Sequence, residues 1–142
     1  MATGLSLRKA THADSAAIIA LWQACDLTRP WNDPAADIAL ALGNPTSTIW
    51  LAHQGEQLVG TVMAGFEGHR GWIYYLATLP RARGQGIAAR LLREAENWLA
   101  ALGCPKVELM VREGNEAAGM YDHLGWDKQA VAVYARWLRK DD

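Results

Sequence analysis

The chain has 142 residues, of which 51% are hydrophobic, and 14 basic against 15 acidic side chains give a formal net charge of −1. This length and apolar content predict a single domain over residues 1–142 with one sizeable core. The balanced charge argues against a nucleic-acid or anionic-membrane binder, and no apolar run reaches the roughly 20 residues of a membrane span. Because the N-terminus also lacks a signal-peptide pattern, we expect a cytoplasmic protein.

The residue types that most often bind metals are scattered along the sequence. Cys25 and Cys104 lie far apart, and the four histidines show no ligand spacing, so we expect no metal site. A disulfide between the two cysteines is the less favoured alternative, because the cytosol keeps thiols reduced.

The N-terminal part predicts one strand followed by two helices. Leu5–Lys9 alternates as a strand, and Thr11 with Asp14 forms a capping box before the first helix. One face of that helix is apolar at helical spacing, at Ile18, Leu21, Trp22 and Cys25. Asp33 can cap a second helix with Pro34 at its first position, and a Gly-Asn-Pro sequence ends it.

The central part predicts three strands, a long helix and a further strand. Thr48–His53 and Leu58–Phe66 read as a hairpin, and Trp72–Thr78 reads as the strand that follows. Ile87–Leu102 has a strong helical pattern that ends at a glycine, and Lys106–Arg112 alternates as a strand.

The C-terminal part predicts a short helix and a last strand. Asn115 can cap the helix, which ends before Gly125, and Val131–Leu138 reads as the final strand, with a further short strand near Trp126. The order βααβββαβαβ predicts an α/β fold with helices on both faces of a sheet.

The loop between Thr78 and Ile87 has the features of a phosphate site. It leads from a strand into a helix N-terminus, whose first amides have no intrahelical partners and attract anions. Gly84 and Gly86 allow a ligand to approach the backbone, and Arg81 adds positive charge beside Arg83. An ordinary turn is the alternative. The loop has neither the Gly-Lys-Ser/Thr ending of a P-loop nor the third glycine of a dinucleotide fold.

Two motifs resemble the GNAT superfamily of N-acetyltransferases. Arg81-x-x-Gly84-x-Gly86 is similar to its Gln/Arg-x-x-Gly-x-Gly/Ala signature, and the run from Asn115 to Trp126 is similar to its Asn-x-x-Ala-x-x-x-Tyr-x-x-x-Gly-Phe segment. The resemblance implies a mixed, mostly antiparallel sheet of six to seven strands, about four helices on both faces, and a V-shaped splay at the cofactor site. Shorter runs at residues 25–34, 68–71 and 103–106 resemble bacterial YpeA-type acetyltransferases.

The resemblance implies that acetyl-CoA lies between the strands at Trp72–Thr78 and Lys106–Arg112. The pantetheine arm would pair with the backbone of Leu76, Ala77 and Thr78. The diphosphate would contact the loop and the helix start, at Arg81, Arg83, Gly84, Gln85, Gly86, Ile87 and Ala88. Asn115 would bind the cofactor arm, although a plain helix cap explains it equally well.

The resemblance also implies a general acid, and it leaves the base open. Tyr121 would protonate the departing CoA thiolate; the alternative is a tyrosine that only packs on the sheet. A related branch places a glutamate where this chain has Met110, so the base is either Glu108, acting through water, or Glu67. For both glutamates a solvated surface carboxylate is the alternative.

We expect an amine acceptor, either a small molecule or a protein or peptide, to bind near the loop after the first helix. Asp26, Arg29, Trp31, Asn32 and, from another turn, His69 are the candidate contacts, since an aromatic ring beside acids suits a cationic amine. Trp31 could instead staple the second helix. A non-catalytic acyl-CoA sensor and a nucleotide-binding module are the rival functions, and a homodimer is left open because many family members dimerise.

Overall fold

The computed structural model describes residues 4–115 and 118–139, and the chain forms two compact units, Met1–Met110 and Val111–Asp142. The first unit contains a sheet of five strands in the order β1-β2-β3-β4-β5. These strands are β1 (Leu5–Lys9), β2 (Ser47–Gln54), β3 (Gln57–Phe66), β4 (Gly71–Thr78) and β5 (Val107–Leu109). Neighbours run antiparallel except β4 and β5, which are parallel, so the predicted mixed, mostly antiparallel α/β sheet is confirmed.

Three helices of the first unit pack on this sheet, α1 (Ser15–Ala24), α2 (Pro34–Leu42) and α3 (Ile87–Ala101). The cap of α2 and the capping box in the turn before α1 follow the sequence signals. The Asp33 carboxylate accepts a hydrogen bond from the Ala36 amide at 3.1 Å, with Pro34 at the first helical position. In the short turn before α1, the Asp14 carboxylate accepts one from the Thr11 amide at 2.8 Å.

The helices lie on opposite faces of the sheet, as two neighbouring residues of β3 show. The Thr61 hydroxyl accepts a 3.0 Å hydrogen bond from Nε1 of Trp22 on α1. Gly60 points to the other face, because successive strand residues alternate. A Cβ at this position would lie 2.9 Å from Leu91 Cδ1 and 3.1 Å from Ile87 Cγ2, both on α3. The first turns of α3 can therefore lie against β3 because residue 60 has no side chain.

Each face of the sheet has its own apolar core. The buried residues of the core under α1 and α2 are Ala10, Ile18, Leu21, Trp22, Ile38, Ala41, Ile49, Leu51 and Ala77. The buried face of α3 consists of Ile87, Leu91, Leu92, Ala95 and Leu99. Their three- and four-residue spacing is the helical pattern that the sequence predicts.

The predicted strand Lys106–Arg112 is shorter in the structure, where β5 spans only Val107–Leu109. Its ladder with β4 ends at the pair of Ile73 and Leu109. Directly afterwards β4 bulges, because Tyr75 has a positive φ of 50° and the register with β3 shifts there. The bulge thus begins where the ladder with β5 ends, while the ladder with β3 continues on both sides of it.

The second unit contains α4 (Ala118–His123) and no strand among residues 111–115 and 118–139. The predicted strand Val131–Leu138 is not formed there, nor is a short strand near Trp126. Apolar alternation predicts which side chains share a face, but a strand also needs a hydrogen-bonding partner. Val131 and Tyr134 are 77% and 96% exposed. The described sheet thus has five strands instead of the expected six or seven.

Asp14 also joins β1 to the turn before α1 through an ion pair. Its carboxylate accepts hydrogen bonds from both terminal nitrogens of Arg8, at 2.7 Å and 2.9 Å. These bonds hold the pKa of Asp14 well below its ordinary value. A carboxyl whose pKa is depressed in the folded state stabilises the fold above its unfolded pKa, and that stability is lost as the pH falls.

We expect Asp14→Asn to lower Tm at neutral pH by about 2–4 °C, because the charged hydrogen bonds with Arg8 are lost, while the amide oxygen of asparagine can still accept the bond from the Thr11 amide. The difference from the unmodified protein should shrink below about pH 4, where the carboxyl in the unfolded chain begins to bind its proton. Calorimetry across this pH range measures both effects, with exposed Glu56→Gln as the control. A Tm difference that stayed constant with pH would contradict the ionic contribution.

Candidate active site

The sheet opens between β4 and β5. Their parallel ladder covers three residue pairs, from Gly71–Val107 to Ile73–Leu109. β4 continues to Thr78, and along residues 74–78 it has β3 on one side and, in the described part of the first unit, no strand on the other. The edge of β4 over residues 74–78 lies where the family resemblance implies a V-shaped splay, which stays a prediction.

The backbone of Leu76 and Thr78 faces the open edge. The Leu79 amide donates to the Val59 carbonyl of β3 at 2.8 Å. Because the groups that face a partner strand alternate in an antiparallel ladder, Ala77 also bonds towards β3, and Leu76 and Thr78 direct their N–H and C=O groups the other way. The Thr78 carbonyl already accepts from Arg83 Nε at 3.1 Å and from Cys25 Sγ at 3.4 Å, so an extended ligand could pair with this edge mainly through Leu76.

The helix after this strand begins at a residue that cannot cap it. Gly86 is the N-cap of α3, with φ of 79° and no side chain to cover the first amides. The Arg90 amide donates to the Gly86 carbonyl at 3.1 Å, which is the first hydrogen bond of the helix. The amides of Ile87 and Ala88 come before it and have no carbonyl within the helix to bond. A Cβ on Gly84 or Gly86 would have no atom within 4 Å, so the space over these amides is open.

Side chains of the loop are held by contacts to the sheet. Arg83 donates from Nε to the Thr78 carbonyl at 3.1 Å, while Arg81 is exposed. The Gln85 carbonyl oxygen accepts a 2.9 Å hydrogen bond from Nε2 of Gln54, at the end of β2. Sequence reasoning missed Gln54, since nothing in a single sequence links it to a loop so far along the chain. Hydrogen bonds to the sheet therefore hold this loop, which carries two arginines and leads into the first amides of α3.

The sequence profile of the acetyltransferase (GNAT) family matches residues 16–126, which is more than half of the chain. The chain belongs to this family. Acetyl-CoA is accordingly its co-substrate, and the open edge of β4 followed by the uncapped start of α3 fits that molecule.

Solved structures share the fold of this GNAT acetyltransferase. The aminoglycoside N-acetyltransferase AAC(6′)-Iy in complex with CoA is 15% identical, with a TM-score of 0.83 and 98% of each chain covered. A protein of Clostridium acetobutylicum described as a predicted acetyltransferase, solved with acetyl-CoA, is 19% identical, with a TM-score of 0.78 over 93% of this chain and 96% of that one. An aminoglycoside acetyltransferase from a soil metagenomic sample, in complex with sisomicin, is 17% identical, with a TM-score of 0.76 over 94% and 97%.

The two candidate bases of this GNAT acetyltransferase have different surroundings. Glu67 lies in the turn before β4. One of its carboxylate oxygens accepts hydrogen bonds from the backbone amides of His69 and Arg70, both at 2.5 Å. These bonds lower the pKa of Glu67, which makes it a weaker proton acceptor. Glu108 is paired in register with Trp72 on β4, and its carboxylate lies 3.5 Å from Nε of Arg70. Glu108 is thus directly beside the point where the ladder opens.

The candidate acceptor loop begins next to the end of β4. Cys25, the last residue before it, donates from Sγ to the Thr78 carbonyl at 3.4 Å. Within the loop, Nη1 of Arg29 donates to the Asp26 carbonyl at 2.7 Å and lies 3.8 Å from the exposed Asp26 carboxylate. Trp31 is 52% exposed, so it is not a buried staple for α2.

Two further candidates flank this loop and the turn before β4. The amide of Asn32 donates to the Arg29 carbonyl at 3.1 Å, which closes a turn before Asp33 caps α2. His69 is exposed, its amide donates to the Glu67 carboxylate, and its carbonyl accepts from Nη1 of Arg70. Asp33 serves as the helix cap that the sequence predicts.

Asn115 and Tyr121 belong to the second unit. The Asn115 amide donates to the Arg112 carbonyl at 3.1 Å, and its own carbonyl accepts from Ala118 at the start of α4. The ring of Tyr121 meets Trp126 edge-on, with centroids 6.1 Å apart. Burial raises the pKa of the Tyr121 phenol, so it stays protonated at neutral pH. A phenol of this kind can donate a proton.

Neither a metal cluster nor a membrane helix occurs in the parts of the chain that the structure describes. Within residues 4–115 and 118–139, no three His, Cys, Asp or Glu side chains are grouped so as to hold a metal ion. Over the same ranges, no helix has the length and apolar character needed to cross a membrane. Cys25 and Cys104 are both free thiols.

Proposed function

We propose that this chain, acting as one catalytic domain, transfers the acetyl group of acetyl-CoA to a primary amine while both substrates are bound. One observation carries the proposal. The open backbone edge at Leu76 and Thr78 leads directly into the uncapped, glycine-lined start of α3. An extended arm with amide groups suits the first feature, and a diphosphate suits the second.

The residues predicted for the cofactor divide the binding between them. Leu76, Ala77 and Thr78 offer the backbone edge, and Gly84 and Gly86 leave the space above the loop open. The amides of Gln85, Ile87 and Ala88 can bind diphosphate oxygens, and Arg81 and Arg83 supply positive charge. Asn115 would contact the arm of the cofactor.

Tyr121 is proposed as the general acid. Bound acetyl-CoA supplies an activated thioester carbonyl for the amine to attack. As the carbon–nitrogen bond forms and the carbon–sulfur bond breaks, Tyr121 donates its phenolic proton to the departing sulfur. The attacking nitrogen then gives its second proton to water, and Tyr121 takes a proton back from solvent, so a neutral amide and the free CoA thiol remain. The raised pKa of Tyr121 keeps its proton available at neutral pH.

Glu108 is proposed as the group that receives the proton of the acceptor amine through water. The ammonium form of an alkylamine cannot attack, so one proton must leave it first. Glu108 is favoured over Glu67 because the loop amides that bind Glu67 lower its pKa and reduce its basicity. The ion pair with Arg70 holds the Glu108 carboxylate near the end of the β4–β5 ladder.

The acceptor is proposed to be a cationic amine. Asp26 presents a fully exposed carboxylate, and Trp31 presents an exposed ring in the same loop. A ring face and an acid together favour a positively charged ligand, with the ring contributing about 0.5–2 kcal/mol. Arg29 holds the loop backbone, and Asn32 and His69 would add hydrogen bonds. Two of the structural relatives are aminoglycoside acetyltransferases, which makes an aminoglycoside a reasonable member of any test panel.

Release of free thiol from acetyl-CoA across a panel of amines tests the proposal. The panel contains an aminoglycoside, a polyamine, an amino acid and a peptide N-terminus, with an uncharged alcohol as the control. We expect thiol release and a matching acetylated product with at least one cationic amine. Tight binding of acetyl-CoA with no turnover on any amine would favour the non-catalytic sensor instead. That outcome would fit the occurrence of Met110 where a related branch carries glutamate.

A further inference from the structure

A buried chain of polar contacts runs from α1 through β3 to the bulge of β4. Nε1 of Trp22 donates to the Thr61 hydroxyl at 3.0 Å, and this hydroxyl donates to the Tyr75 carbonyl at 2.9 Å. Thr61 is fully buried and is one of two buried polar residues in the described chain. The single hydroxyl of Thr61 therefore accepts the hydrogen bond from Trp22 and donates one to Tyr75.

The chain of contacts ends on a strained residue. Tyr75 has a φ of 50°, in the left-handed region that bulky side chains rarely adopt. Its ring stacks on Trp22 with centroids 3.7 Å apart and planes 6° apart, and its phenol donates to the Asp37 carboxylate at 2.7 Å. Such a backbone conformation persists only where the surroundings fix it. Here they fix the ring, the phenol and the carbonyl.

The bond from Thr61 sets the direction of one peptide group at the open edge. The C=O and N–H of a trans peptide point in opposite directions. Because the Tyr75 carbonyl points to Thr61 on β3, the N–H of Leu76 in the same peptide points away from β3, where β5 has already ended. The alternation of the β3–β4 ladder gives the same direction for Leu76.

We propose that Thr61 is a positioning residue for the acyl end of the co-substrate, because it holds the Leu76 N–H in place to bond there. This inference rests on the proposed function. With the diphosphate at the start of α3, the arm runs along β4 from Thr78 towards Leu76. The amide of Leu76 therefore meets the end that carries the thioester. Loss of the Thr61 hydroxyl frees the Tyr75–Leu76 peptide to rotate.

Thr61→Val tests the inference, because it keeps the shape of the side chain and removes the hydroxyl. We expect kcat to fall about tenfold, since a misplaced contact at the reacting group affects turnover. The Kd for CoA, which has no acyl group, should change little. Thr61→Ser retains a hydroxyl and should recover most of the lost kcat. Thr48→Val is the matched control, since Thr48 is also buried, on β2, and lies outside this chain of contacts.

Equal kcat in Thr61→Val and Thr48→Val would overturn the inference, as would a Thr61→Ser variant no more active than the valine variant. An unmodified protein that neither bound CoA nor acetylated an amine would instead overturn the proposed function. If Thr61→Val does not fold, the unmodified protein still decides the matter by NMR. The amide proton of Leu76 should shift when acetyl-CoA replaces CoA, and an unchanged resonance would contradict the proposed contact.

Discussion

Valine in place of Gly86 is expected to weaken acetyl-CoA binding by about 100-fold, the equivalent of one or two charge-assisted hydrogen bonds. Two effects combine. The φ of 79° at this position is strained for a β-branched residue, so the loop must shift. The new side chain would also occupy the open space over the amides that begin α3. Isothermal calorimetry with acetyl-CoA measures the change in Kd.

Gly55→Val is the matched control for this variant. Gly55 lies in the hairpin turn between β2 and β3, has a similar φ of 61°, and also has no atom within 4 Å of an added Cβ. Both variants should therefore lose similar stability through backbone strain, while only Gly86→Val should lose affinity. Equal affinity for acetyl-CoA in the two variants would contradict the proposal that the diphosphate binds at this loop.

Tyr121→Phe is expected to lower kcat by about 100-fold and to leave the Kd for acetyl-CoA nearly unchanged, as the loss of a general acid should do. The benzene ring still packs edge-on against Trp126, so the variant should fold. Steady-state kinetics with the best amine of the panel, together with calorimetry, separates turnover from binding.

Tyr134→Phe makes the same chemical change at a phenol in the second unit that is 96% exposed, and it should keep full activity. The pH dependence gives a second check on Tyr121. Because its pKa is raised above the ordinary value of 10.0, the acid stays protonated, and kcat should not fall on its account below that pH. An unchanged kcat in Tyr121→Phe would remove Tyr121 from the acid role.

Local signals in the sequence predict much of the framework. The Asp33 cap, the proline after it and the apolar stripe of α3 each depend on residues a few positions apart, so a single sequence reveals them. Gly84 and Gly86 are local signals of a tight loop before α3, and both have left-handed φ values, of 83° and 79°. Their contact with a diphosphate stays a prediction. The closer likeness to YpeA-type acetyltransferases stays a prediction.

Contacts between distant residues could not be predicted in this way. The bulge at Tyr75 depends on Trp22, Thr61 and Asp37, which come from three other elements, and alternation alone predicts an even strand there. The ladder with β5 ends next to this bulge, at the pair of Ile73 and Leu109. The segment Val131–Leu138 shows the converse case, because its alternation is genuine but the described residues form no ladder with it.

Gly60 has a consequence for the proposed phosphate site, although it lies on β3 and carries no side chain that could touch a ligand. Its bare Cα lets Leu91 and Ile87 of α3 come against the sheet, and Ile87 is the first residue of that helix. A methyl group at residue 60 would meet Leu91 Cδ1 at 2.9 Å and Ile87 Cγ2 at 3.1 Å, so both side chains would have to move. The packing of β3 thus helps to set the position of the helix start that we propose binds the diphosphate.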